Sequence, residues 1–90
     1  MKVKMFDKEW KIKALAYRQK RELWQGSIQA FPEGEIDQNK YFELMNKVEE
    51  LSGLKEADYI KDDKTPLTMA EIDLLVQEIF TQYMGMEKKG

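Results

Sequence analysis

The side chains able to do chemistry in this chain of 90 residues are carboxylates, lysines and hydroxyls, because it has neither cysteine nor histidine. That removes thiol nucleophiles, imidazole acid/base catalysis, disulfides and the usual transition-metal ligands together. The neighbouring carboxylates Glu49-Glu50 and Asp62-Asp63 are the first candidates for acid/base or metal work. Adjacent positions on a helix point apart, however, and without an imidazole partner these pairs read as solvated surface. A partial calcium loop is the second candidate: Gly34, Ile36 and Asp37 fall at the glycine, hydrophobic and ninth positions of an EF-hand. Counting back puts Gln29, Phe31 and Glu33 at the first, third and fifth positions. Lys40 stands where the bidentate glutamate belongs, placing a cation where calcium needs oxygen. A turn leading into a capped helix explains the same residues. No enzyme activity, metal or cofactor is expected.

What remains is charge and apolar surface. The net charge of −2 hides a segregation: residues 1–21 carry eight Lys/Arg against two Asp/Glu, +6, which leaves −8 on the rest. Within that basic end apolar and lysine residues alternate. Val3, Met5, Trp10 and Ile12 point one way, and Lys2, Lys4, Lys11 and Lys13 the other. The pattern predicts a β-hairpin over residues 1–15. With Asp7-Lys8 at the turn, Met5 pairs with Trp10 and Val3 with Ile12, and a loop over residues 6–9 keeps the same register. Lys4 then lies opposite Lys11 and Lys2 opposite Lys13, a repulsion between like charges. Lysines on an exposed sheet face discourage edge-to-edge aggregation. They also suit an anionic partner surface, which Arg18, Lys20 and Arg21 would extend.

After Leu15 the period becomes helical. Tyr17, Leu23, Trp24, Ile28 and Phe31 are expected on one side of a first helix and Arg18, Arg21, Glu22 and Gln25 mostly on the other. Gly26-Ser27 either ends this helix early or weakens it, and Pro32 with Gly34 closes the segment. Asp37 is the expected N-cap of a second helix with Tyr41, Leu44, Met45, Val48 and Leu51 inward, and Gly53 its left-handed C-cap. Residues 54–64 hold enough apolar residues for one short helical turn, followed by a loop. Thr68 and Glu71 form a capping box for a third helix with Ile72, Leu75, Val76, Ile79, Phe80 and Tyr83 inward, ending at Gly85. Residues 86–90 are expected to fray. The fold class is therefore α+β: an N-terminal two-stranded antiparallel hairpin and about three amphipathic helices in one small, mostly helical domain covering residues 1–90.

Trp10, Trp24, Phe31, Tyr41, Phe80 and Tyr83 are expected to fill the core. Tyr83, Met84 and Met86 mark an end where adaptable methionines and an aromatic suit a groove for a partner helix or a self-association surface. The candidate partner-binding residues are thus Lys2, Lys4, Lys11, Lys13, Arg18, Arg21, Tyr83, Met84 and Met86. The longest apolar stretch is far short of a membrane span and no signal-peptide core follows the N-terminal lysines, so a cytoplasmic location without membrane partners is expected.

The order of the lysine-rich hairpin, Tyr17-Arg18-Gln19-Lys20-Arg21-Glu22-Leu23-Trp24, Gly34-Glu35-Ile36-Asp37, Tyr41-Phe42-Glu43-Leu44, Leu51-Ser52-Gly53 and Ile79-Phe80-Thr81-Gln82-Tyr83-Met84-Gly85 resembles small proteins of tailed-phage and prophage structural operons. In particular it resembles the tail assembly chaperone group. That resemblance implies a mostly helical protein of the bacterial host cytoplasm that binds the long tape measure protein and keeps it soluble until tube subunits assemble. It transfers no residue-level role. The rival expectation is a small nucleic-acid-binding regulator using the basic hairpin, although the overall charge is negative and no nucleic-acid-binding motif accompanies it. Homo-oligomerisation is a further possibility.

Overall fold

The computed structural model describes residues 1–61 and 63–85. Strands β1 (Lys2–Met5) and β2 (Lys8–Lys11) form an antiparallel hairpin, followed by helices α1 (Tyr17–Ala30), α2 (Gln38–Ser52) and α3 (Met69–Tyr83). Short 3-10 turns at Pro32–Gly34 and Glu56–Asp58 punctuate the two long connections. This is the α+β arrangement of hairpin plus three helices that the alternation and capping signals predict. The expected fraying of residues 86–90 lies outside the described residues.

The caps act as the sequence implies. Asp37 accepts the Lys40 backbone N–H at 3.1 Å, and Gly53 takes a left-handed φ of 82° at the end of α2. Thr68 and Glu71 exchange bonds, Glu71 N–H to Thr68 Oγ1 at 3.2 Å and Thr68 N–H to Glu71 Oε1 at 2.9 Å. The segment read as a turn leading into a capped helix is such a turn, in which the Asp37 N–H donates to the Ala30 carbonyl at 2.8 Å before α2 begins.

The hairpin register differs from the expected one by two residues. Val3 pairs with Trp10, Lys4 with Glu9, Met5 with Lys8 and Lys2 with Lys11, and the Ile12 N–H extends the ladder to the Met1 carbonyl at 2.9 Å. The turn is therefore Phe6-Asp7, both left-handed with φ of 57° and 58°, as a two-residue hairpin turn of the primed type demands. A left-handed phenylalanine is costly, so local propensity argues against this turn. Tertiary contacts favour it: Phe6 packs against the core, the Trp10 indole N–H donates to the Met5 carbonyl at 3.1 Å, and Lys8 lies over the Trp10 ring while donating to the Ile60 carbonyl. A slip of two residues preserves which face is buried, so Val3, Trp10 and Ile12 still point into the core.

One contiguous core joins that hairpin face to Leu44, Met45 and Val48 of α2 and to Leu75, Val76, Ile79, Phe80 and Tyr83 of α3. Helix α2 lies centrally, with α1 and α3 each packed against it and α3 also against β1. The connection after α2 is anchored, since Tyr59 is buried and its hydroxyl donates to Glu49 Oε2. Burial and the Glu49 carboxylate together raise the Tyr59 pKa.

The hairpin is tied to the helices at Lys13. Its N–H donates to the Ser52 carbonyl at 3.0 Å, and the Tyr83 hydroxyl donates to the Lys13 carbonyl at 2.6 Å. Burial pushes the Tyr83 hydroxyl from an ordinary 10.0 up to about 12. The unfolded chain thus loses this proton before the folded one does, and between those values the unfolded state binds fewer protons, so stability falls as pH rises. Urea midpoints are expected to hold steady up to pH ~9 and to drop between pH ~10 and ~12, with Tyr83→Phe flattening part of that drop. An unchanged alkaline limb in Tyr83→Phe would show that this hydroxyl does not carry the effect.

Candidate partner-binding groove

Helix α1 carries two apolar lines, and only one of them reaches the core. Leu23 and Ala30 are buried, with Gly26 and Ser27 between them and Gln19 one turn before partly covered. Gly26 sits at the crossing with α2, where a Cβ would come within 3.1 Å of Leu44 Cδ1, so the glycine permits close helix approach. Of the two readings of Gly26-Ser27, an early end and a weakened interior, the first does not hold, since α1 runs through to Ala30. The second line is Tyr17, Trp24 and Ile28 with Arg21 set among them and Phe31 following at the C-cap, at spacings of four, three, four and three residues, so that Arg21, expected on the opposite face, lies in this row. Trp24 is 61% exposed, Ile28 60% and Phe31 41%. The assignment of Trp24 and Phe31 to the core is therefore wrong. Small residues bring α1 close to α2, and the bulky row is left outside.

This outer row forms one wall of a shallow groove. Phe80 and Met84 of α3 face Trp24, Ile28 and Phe31 across it. Beyond Phe31 the groove continues over Tyr41 and Met45 of α2 to Ile36 and Phe42, which are 61% and 59% exposed. In the other direction it passes Tyr17, Lys20 and Arg21 beside Tyr83 and Met84. Helices α1 and α3 thus flank the groove in opposite directions, the start of α1 lying beside the end of α3.

The groove has aromatic and polar detail. Phe31 and Tyr41 meet edge to face with ring centroids 6.2 Å apart, and Tyr41 and Phe42 do the same at 5.7 Å. Gln77 donates to the Tyr41 hydroxyl at 2.6 Å and to Asp73 Oδ2 at 2.8 Å, holding the polar edge of that end. Burial first, and then the Asp73 carboxylate, raise the Tyr41 pKa, so this phenol stays neutral and serves as a fixed hydrogen-bonding group.

The candidate residues named from sequence divide sharply. On the hairpin, Lys4 lies opposite Glu9 rather than Lys11, and Lys2 lies opposite Lys11 while its ammonium reaches Glu9 at 3.7 Å. A carboxylate therefore interrupts the expected all-lysine face. Lys13 is not paired with Lys2; it lies beyond β2, with its aliphatic stem against Gly53. Arg21, with Lys20, stands at one end of the groove, the Arg21 guanidinium 5.9 Å from the Tyr17 ring centre, whereas Arg18 lies with Glu22 and Gln25 on the outer side of the row, away from α3. Tyr83 is a core residue that touches the groove's rim, and Met84 lines it. Met86 lies outside the described residues. The sequence reading missed the role of Trp24, Ile28, Phe31, Ile36 and Phe42. For Trp24, Ile28 and Phe31 the available signal was their spacing along a helix that already had a second, smaller-residue line able to serve as its core face.

Among the described residues no group of three or more carboxylates is placed to hold a metal ion. No helix there is long and apolar enough to cross a membrane. No family model matches the chain, and neither a curated protein nor a solved structure matches it.

Proposed function

We propose that this chain is a non-catalytic binding protein that acts in assembly by holding an amphipathic helix of another protein in the groove between α1 and α3. The observation that carries this reading is the exposed row Tyr17, Arg21, Trp24, Ile28 and Phe31, whose alternating three- and four-residue spacing is that of a helix–helix seam. A contiguous apolar surface of this kind on a small domain is costly to leave in water and marks an interaction site. Met84 and Met45 add side chains that adapt to different partners, as suits reversible capture.

A tail assembly chaperone is the specific form of this function that the sequence resemblance supports. A tape measure protein is a long, largely helical chain with apolar stripes, and transient cover for such stripes requires an exposed apolar groove. The nucleic-acid reading draws less support, because Glu9 breaks up the basic face on which it depends.

The two tryptophans supply the test. Trp10 is buried and Trp24 is exposed, so a change in emission on binding reports on the groove. Titration with tryptophan-free helical fragments of a tape measure protein is expected to shift Trp24 emission to the blue with saturation. Absence of any shift, together with steeply salt-dependent retention on DNA cellulose, would replace this reading with the nucleic-acid one.

A further inference from the structure

We propose that the groove is electrostatically directional: it takes a helix whose acidic end is its C-terminal end, seated over Lys20 and Arg21 so that the helix runs antiparallel to α1. This rests on the groove reading given above and adds the charge pattern and direction of the occupant. Residues 17–22 carry three cations and one anion, a net +2, whereas residues 33–37 carry three anions and no cation, a net −3. These two stretches sit at opposite ends of the outer row, the first at the start of α1 and the second on the turn that follows its end.

The local pairing sharpens this difference. Glu22, the one carboxylate at the basic end, is engaged by Lys47 of α2 at 3.9 Å, and among the described residues Arg18, Lys20 and Arg21 form no ion pair. At the other end Lys40 is engaged by Glu43 at 3.3 Å, while Glu33 and Glu35 are exposed and form no ion pair among the described residues. Asp73, bonded to Gln77 on the groove's edge, adds a further carboxylate there.

Two effects then act in the same direction. Acidic side chains on the occupant are drawn to Lys20 and Arg21, with Arg18 adding to the field from the outer side of the helix, and basic ones to Glu33, Glu35 and Asp73. The occupant's own macrodipole, about half a negative charge at its C-terminus, favours the same seating. The C-terminal carbonyls of α3 also face the basic end, but their roughly half charge is small beside the full cations Lys20 and Arg21. Fourteen helical residues separate the two ends by about 20 Å, twice the roughly 10 Å screening length at 0.1 M salt, so each end reads its own charge independently. The partner class is thus unusual, because helices ordinarily place acidic residues in the first turn and basic ones in the last.

The test uses the full chain and two tryptophan-free amphipathic peptides of about four turns with identical composition. One has lysines in its first turn and glutamates in its last; the other has the same charges interleaved. Trp24 emission at low salt is expected to give about tenfold tighter binding for the segregated peptide, a preference lost in 1 M salt and in the variant Glu33→Lys with Glu35→Lys. A nitroxide on the glutamate end is expected to broaden the amide resonances of residues 17–24, and one on the lysine end those of residues 33–37. Equal affinities, or a label that broadens both ends alike, would overturn the directionality and leave the groove reading standing. If neither peptide changed Trp24 emission, both readings would be overturned.

Discussion

Trp24→Ala is expected to weaken capture of an amphipathic helical peptide by about thirtyfold or more, while leaving the urea midpoint nearly unchanged. The indole is the largest side chain on the outer row of α1, and its position between Ile28 and Met84 places it near the middle of the groove. Central aromatic anchors of this kind carry about 2 kcal/mol or more of binding energy, which converts to the stated loss of affinity. Stability should hold because the side chain is 61% exposed and supports little of the core; surface replacements of this sort shift stability by about 0.5 kcal/mol or less. Anisotropy of a labelled peptide measures the first quantity and urea unfolding the second. Charge reversal at Lys4, which lies opposite Glu9 on the hairpin, is the matched control and should leave affinity within about twofold. If Trp24→Ala bound as tightly as the parent chain, the groove would not be the binding surface.

That prediction depends on a surface the residue pattern only partly disclosed. Features set by a few neighbouring residues were legible: Asp37 and Gly53 bound α2, and Thr68 with Glu71 starts α3, because each satisfies orphan backbone groups within one turn. The buried stripes of α2 and α3 were legible for a related reason, since each helix has a single dominant apolar face. The first helix has two, and periodicity alone cannot say which of them meets the core. The deciding quantity was side-chain size: Gly26 and Ala30 allow α1 to lie close to α2, whereas Trp24 and Phe31 would hold it away. The hairpin register was hidden in the same manner. A left-handed Phe6 is locally unfavourable, and what makes it acceptable is a set of contacts to Ile60 and the core from residues distant in sequence. Of the candidate binding residues, Arg21 and Met84 border the groove, Arg18 lies on the outer side of α1, and the hairpin lysines belong to a face whose charge Glu9 partly offsets.

The dependence of the groove on the core gives the largest expected loss of stability. Leu23 is fully buried and is the one large side chain through which α1 enters the core; Ala30, the other buried residue of that helix, contributes a single methyl. Leu23→Ala is expected to cost about 3 to 4 kcal/mol, the lost transfer energy plus the cavity left between helices that cannot fully collapse. A chain of this length holds roughly 5 to 13 kcal/mol in total, so the variant should remain folded only with a much lower urea midpoint. The damage should also be local. Amides of α1 are expected to exchange with solvent far faster than those of α3, because α3 keeps its contacts with α2 and β1 when α1 loosens. Peptide affinity should fall with it, although Leu23 lies beneath the groove, since the wall bearing Trp24 and Ile28 is no longer held in place. The pair of variants thus separates contact from support: Trp24→Ala loses binding alone, and Leu23→Ala loses binding through stability. Uniformly accelerated exchange in Leu23→Ala would mean that α1 and the remaining helices unfold as one unit, and that the groove cannot open independently of the core.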